Sequence, residues 1–340
     1  MHRRTLVLGA AGLAACATQP ASELKVGAAR SVSVGVADLD AASALFQTTM
    51  GYALEARGSI SAQRAAFWGL GRGLRGRWAE LSCAGYPVGR VRLLHLTPTP
   101  QTFVRHDFGD DAFDSPIAIG PKALDVYAQS SLEAGIAAFR SQGLSPRTET
   151  PARYPGGLEE IVFTGPGRMP LMQMSRPAAP NGDMRPNMPT DRFSEVATMS
   201  IICADLAASR RFYGELLGFK ARFDRVAPEG FRAPVAKLIG APPELQAHWM
   251  IFNAETENSA KILLIHFADA AKSPLKNTMS PAHLGIGLYT FPCSDIDALA
   301  AKAAALNFEV AAKPARIDGT RCVLIRGPNA ELCEFVQISA

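Results

Sequence analysis

The sequence predicts an α+β fold assembled from four strand-helix-strands units in tandem, on three observations. A long segment near residue 31 recurs near residue 198 with the same internal spacing. Each copy is followed by a shorter echo of the same pattern. A Pro/Gly-rich stretch, 176–192, then divides the units two and two, since such residues propagate neither a helix nor a central strand. Internal repetition of this kind takes precedence over local propensity when an architecture is read.

The first unit opens with Ser31-Val-Ser-Val-Gly-Val, an alternating, β-branched run that reads as a strand. Asp38 then serves as an N-cap, its carboxylate accepting the free N–H groups of the first helical turn. The helix runs through Phe46 and stops at Gly51, where a left-handed residue is wanted. Thr198-Met-Ser-Ile-Ile-Cys, Asp205 and Gly218 repeat the same strand, cap and stop. In the echoes, Ala123–Tyr127 leads through Ser130 and Ser131 into a helix closing near Gly143. Gly287–Phe291 leads through Ser294 and Asp295 into a helix from Ile296 to Leu306, followed by a hairpin around Gly327-Pro328-Asn329 and a last strand, Glu331–Gln337. The body thus divides into a first domain, 28–175, a linker, 176–192, and a second domain, 193–340.

The first 20 residues stand apart. Arg3 and Arg4 precede an apolar stretch, Leu6 to Ala15, too short to cross a bilayer but suited to a signal-peptide core. Leu13-Ala-Ala-Cys16 resembles the lipobox of bacterial lipoproteins, which implies lipidation of Cys16, export by the Sec or twin-arginine route, and a periplasm-facing protein anchored in the cell envelope. Membrane contact is expected through that anchor only.

Composition narrows the rest. With 340 residues, 48% hydrophobic, 19% charged and a net charge of +4, the chain is an ordinary globular protein with no basic groove for nucleic acid. A small-molecule ligand is the expected partner, and a homodimer is left open. Beyond Cys16, five of the 6 cysteines remain, an odd set in apolar runs without CxxC, so buried free thiols are expected rather than a disulfide framework or a thiolate metal site. Gly71-Arg-Gly-Leu-Arg-Gly76 spells GxGxxG, but a strand follows instead of a helix, so it reads as a loop. The loop 97–116, with His106, Asp107, Asp110 and Asp111, reads as solvated surface.

The run Cys203-Ala-Asp-Leu through Phe212-Tyr213 to Leu217-Gly-Phe219 resembles the opening module of the vicinal oxygen chelate superfamily, which includes glyoxalases, bleomycin-resistance proteins and extradiol dioxygenases. Phe67–Leu70, Trp78–Ser82 and Val91–Leu96 follow the same order of elements, and the resemblance covers nearly everything after residue 30. It implies βαβββ modules paired into two open, cup-shaped curved sheets, with a divalent metal held by His and Glu on the first and last strands. At those positions this chain departs from the pattern. Ser31 and Thr198 stand where the first-strand His is expected, and His95 and His266 where the last-strand Glu is expected. In module two the positions fall near Ala123 or Leu124 and on Met172; in module four, near Gly287 or Leu288 and on Glu334.

The resemblance therefore implies a degenerate metal site and a cup that accepts a small, partly apolar molecule. His266 and Glu334, with His95, are the catalytic candidates, since a near-neutral imidazole can move a proton while a carboxylate orients it. Ser31, Thr198, Glu80 and Tyr289 are the ligand-binding candidates. If catalytic, the expected chemistry is isomerase- or lyase-like without a cofactor; the rival is a non-catalytic binding lipoprotein. A third reading puts iron, zinc, nickel or manganese in the second cup on His266, Glu334 and His283, for a metal-dependent lyase or dioxygenase.

Overall fold

A computed structural model describes residues 24–338, apart from 72, 84, 176–191, 255–256 and 272. The signal segment with Cys16, and the linker up to residue 191, lie outside the described residues. Module one comprises β1 (Ser31–Gly35), α1 (Leu39–Ala44), β2 (Ala53–Ser59), α2 (Ala62–Phe67), β3 (Arg75–Ser82) and β4 (Arg90–Thr97). Module two comprises β5 (Gly120–Tyr127), α3 (Leu132–Ser141), β6 (Ala152–Arg153), β7 (Glu159–Thr164) and β8 (Pro170–Met174). Module three holds β9 (Thr198–Ile202), α4 (Leu206–Ser209), β10 (Lys220–Val226), α5 (Arg232–Ile239), β11 (Ala247–Asn253) and β12 (Lys261–Phe267). Module four holds β13 (Gly285–Cys293), α6 (Ile296–Ala305), β14 (Glu309–Ile317), β15 (Thr320–Arg326) and β16 (Leu332–Gln337).

The local signals act as expected. Asp38 accepts from the N–H groups of Asp40 and Ala41 at 3.0 and 2.9 Å, and Asp205 from those of Ala207 and Ala208 at 2.7 and 3.1 Å. Ser131 and Asp295 cap α3 and α6 in the same way. Gly51 and Gly218 take φ of 78° and 75°, ending the two equivalent helices. One feature of these helices escapes sequence patterning: both widen into π-helical turns, Leu45–Thr49 and Arg210–Leu216. Gly73 and Leu74 lead directly into β3, which begins at Arg75, so a strand rather than a helix follows Gly71.

The sheets correct the expected pairing of modules. The strand orders are β14-β15-β16-β13-β1-β4-β3-β2 and β10-β11-β12-β9-β5-β8-β7-β6. Module one thus shares a sheet with module four, and module two with module three. The seams are β1 against β13, with Ser31 opposite Thr290, and β5 against β9, with Asp125 opposite Thr198. Neither half, 28–175 nor 193–340, closes a sheet of its own. Every module's first strand presents the same kind of edge, so local pattern cannot choose among partners; the choice is made by packing over long separations. The two sheets meet closely at Gly167, where an added Cβ would lie 2.1 Å from the Gly35 carbonyl oxygen at the β1–β13 seam. With φ of 64° there as well, glycine suits both the approach and the left-handed backbone.

The loop 97–116 also departs from expectation. Arg105, His106, Asp107 and Asp114 are buried, while Asp110 and Asp111 are exposed. Asp107 receives Lys122 at 2.5 Å, Arg105 at 2.9 Å and Arg147 at 3.0 Å. Burial would raise its pKa, but these cations hold its carboxyl well below the usual range. The loop is a buried ionic clamp between modules, not a solvated surface. Cys83, Cys203, Cys293, Cys322 and Cys333 are all buried.

Candidate functional site

Strand alternation decides which side chains face each concavity. On β4, Val91 and Leu93 are wholly buried in the core, and His95 shares their side. Arg92 takes the other side, where it lines the first cup. His95 Nδ1 sits 3.4 Å from the Val36 carbonyl oxygen. On β12, Ile262, Leu264 and His266 form the core side, while Lys261, Leu263 and Ile265 line the second cup. His266 Nδ1 lies 3.0 Å from the Cys203 carbonyl oxygen. Both histidines are therefore outside the concavities, a correction to their expected catalytic placement. A one-residue shift along a strand reverses the face, and the register places Arg92 opposite Ser33 and Lys261 opposite Thr198.

The pair His266 and Glu334 is also divided between the two sheets, because β12 and β16 belong to different ones. His283 joins neither: in the loop before β13, its Nδ1 is 2.6 Å from Thr102 Oγ1. Burial lowers its pKa. Tyr289 turns away from the cup as well. It pairs with Val32 and is wholly buried, its hydroxyl without a hydrogen-bond partner among the described residues.

The first cup, of about 190 Å³, is lined by Arg30, Arg64, Trp68, Trp78, Arg92, Thr290 and Glu334 among others. Glu334 is wholly buried and already satisfied. Its Oε1 accepts from Arg64 at 2.7 Å and Trp68 at 3.1 Å, and its Oε2 from Thr290 at 3.2 Å. Glu80 faces the same side beneath the cup. Burial raises its pKa, but Arg92, Arg30 and Arg90 outweigh that and hold it below the ordinary value. Ser31 and Ser33 lie on this face of β1, fully buried, with neither hydroxyl partnered among the described residues.

The second cup, of about 170 Å³, is more apolar. Met172, Met174, Val235, Leu238, Trp249, Leu263 and Ile265 line it, and α5 covers it. Set in that wall are Asp125, Glu160, Lys261, Tyr154 and Thr198. Asp125 accepts from Ser200 Oγ at 2.7 Å through Oδ2, and its Oδ1 is buried without a partner among the described residues. Burial pushes Asp125 up to about 8 against that hydrogen bond. Burial likewise pushes Glu160 up to about 7, against a hydrogen bond from Tyr154. Lys261 is lowered by burial to about 8, although Glu195 and Asp125 oppose the shift.

The seam positions test a metal directly. They carry Ser31, Thr290, Glu334 and the arginines of β4 in one cup, and Thr198, Asp125, Lys261 and Met172 in the other. No group of three or more His, Cys, Asp or Glu could hold a metal ion among the described residues. A guanidinium or an ammonium at the ligand positions repels a cation, so these residues do not fit one.

Asp125, Glu160, Lys261, Arg30, Arg64 and Arg92 were missed by sequence reasoning. The signal was available in part, because Asp125 interrupts an apolar strand and Arg92 lies out of phase with Val91 and Leu93.

The architecture is that of a paired-module α+β protein with two concave sites. Residues 194–335 match the Glyoxalase/Bleomycin resistance protein/Dioxygenase superfamily. Glyoxalase I from Zea mays superposes with a TM-score of 0.59 at 13% identity, covering 93% of this chain and 92% of that one. A putative dioxygenase from Bacillus subtilis subsp. subtilis str. 168 superposes with a TM-score of 0.58 at 9% identity, covering 92% of this chain and 86% of the other. At these identities the likeness is one of fold. No curated protein matches by sequence. The second half of the chain, residues 194–335, thus matches that superfamily by sequence, and the fold of the whole described chain is like that of glyoxalase I.

Proposed function

We propose that the chain binds a small, partly apolar α-hydroxy carbonyl compound in the cup of modules two and three and isomerises it by proton transfer. The observation that carries this reading is Asp125, a carboxyl raised to about 8 with one oxygen unpartnered in an apolar cavity. Groups poised near neutrality are the efficient acids and bases at neutral pH. Asp125, protonated there, donates to the carbonyl oxygen of the ligand, while Glu160, raised to about 7, accepts a proton from the adjacent carbon. For an α-hydroxy ketone the product of this step is the enediol; Glu160 then returns its proton to the former carbonyl carbon while the original α-hydroxyl gives its proton to the Asp125 carboxylate, which completes the isomerisation with no oxidant or cofactor. Lys261 adds positive charge beside the developing oxyanion.

The test is ligand-observed NMR in deuterated water with a panel of α-hydroxy ketones and aryl alkyl ketones. Binding accompanied by deuterium entry at the α-carbon, lost in Asp125→Asn with binding retained, is the expected result. Binding without exchange in the wild-type protein would leave a non-catalytic binding protein, and absence of binding would overturn the reading altogether. Elemental analysis of protein purified without chelator belongs with it, since a stoichiometric divalent metal would contradict metal-free chemistry.

The same proposal places the protein at the cell envelope through lipid on Cys16, supported by the Leu13-Ala-Ala-Cys16 sequence. Cys16→Ser should abolish incorporation of labelled fatty acid, and unchanged labelling would remove the anchor.

A further inference from the structure

We propose that the cup of modules one and four is a second, chemically different binding site, which takes a small planar monoanion of the aromatic carboxylate class. Four guanidiniums, of Arg30, Arg64, Arg90 and Arg92, meet three carboxylates, of Glu80, Asp318 and Glu334, in and beneath this cup. One positive charge is left over, which a monoanion neutralises.

The hydrogen bonds show where that charge is available. Arg64 is committed, with Nε on Asp318 at 3.0 Å and Nη1 on Glu334 at 2.7 Å. Arg92 gives Nε and Nη2 to Glu80 at 3.2 and 2.7 Å, whereas its Nη1 stands 3.9 Å from Glu334, beyond hydrogen-bond reach. Arg30 has a single long contact, Nη2 to Glu80 at 3.5 Å, and its side chain is 52% exposed. Arg30 and Arg92 therefore present unused N–H groups to the cavity they line. Beneath that lining, on the face of β1 shared with Thr290 and Arg92, Ser31 and Ser33 carry two hydroxyls that are wholly buried and without partners among the described residues. Orphaned buried hydroxyls call for a ligand or an ordered water.

The walls fix the shape of the ligand. Trp68 and Trp78 line the cup with Ile60, Pro292 and Val336, and guanidiniums already lie over both indoles, Arg64 at 5.7 Å and Arg92 at 5.9 Å. Flat apolar surface beside a cationic fork suits an aromatic ring bearing a carboxylate. A volume of about 190 Å³ limits it to roughly a single ring, below drug size. The other cup has no guanidinium among its described lining residues, so it offers no such fork.

Benzoate and neutral benzamide separate charge recognition from simple burial of a ring. The chain has 3 tryptophans, two of them in this cup and Trp249 in the other, so the indole N–H signals of ¹⁵N-labelled protein report on each site. Millimolar benzoate is expected to shift Trp68 and Trp78 and leave Trp249 in place. Arg30→Met, at a half-exposed position that folding tolerates, should weaken benzoate binding at least tenfold and leave any benzamide binding unchanged. Benzamide binding as tightly as benzoate, no shift at all, or shifts confined to Trp249 would each overturn the proposal. None of these readouts depends on proton transfer in the second cup.

Discussion

Asp125 is the residue whose burial has the plainest thermodynamic consequence. Its folded pKa of about 8 lies above the ordinary carboxylate value, so between those limits the folded chain holds a proton that the unfolded chain has lost. Its contribution to stability is full below the unfolded pKa and disappears as pH rises towards 8. Glu160 acts in the same direction up to about 7. Lys261, lowered to about 8, works on the alkaline side, where its contribution is lost as pH falls through that value. Wild-type stability should therefore fall between about pH 5 and pH 7, by at most about 1.4 kcal/mol per unit for each carboxyl. Asp125→Asn should flatten that slope in urea denaturation at the two pH values, and an unchanged slope would show that Asp125 ionises normally. Tyr289 supplies a second case at this scale. Its hydroxyl is buried without a partner among the described residues, so Tyr289→Phe should leave the fold intact and raise stability by about 1 kcal/mol in the same assay. The sequence marked Tyr289 as cup-facing, but the register of β1 on β13 puts it opposite Val32.

At the scale of elements, α2 is a latch from module one onto module four. Ser61 caps it and also donates to Asp318 at 2.6 Å, Gln63 donates to the Arg316 carbonyl at 2.6 Å, and Arg64 bridges Asp318 and Glu334. Removing Arg64 leaves Glu334 buried without its close cation, the costly half of breaking an ion pair. Arg64→Ala should destabilise the protein by about 3 kcal/mol, measured by chemical denaturation, and Arg64→Lys should recover only part because an ammonium cannot fork between two carboxylates. Helix starts and stops such as Asp38, Asp205, Gly51 and Gly218 were legible in sequence because capping is a contact within one turn. The faces of β4 and β12 were legible only in part. Val91-x-Leu93-x-His95 and Ile262-x-Leu264-x-His266 share one parity, and that parity, rather than alignment by residue type, predicts where each imidazole points.

For the whole molecule, interlaced pairing makes the halves dependent on one another. Residues 24–175 alone would leave the seam edges of β1 and β5 unpaired, and residues 193–340 those of β9 and β13. Such exposed edges favour aggregation or new pairing. Expressed separately, each half should be insoluble or self-associated; expressed together, they should form a 1:1 complex seen by native mass spectrometry. Two monomeric, folded halves would contradict the topology.

The amino-acid sequence alone determined the four-unit repeat, the helix caps, the buried thiols and the absence of the family's usual donor residues, because each of these depends on neighbours a few positions away. Only the tertiary structure decided that module one joins module four, that both strand histidines back onto the core, and that Asp125, Glu160 and Lys261 share one apolar wall. Those outcomes arise from strand register and from contacts more than a hundred residues apart, where a shift of one residue exchanges the inside of a cup for the outside.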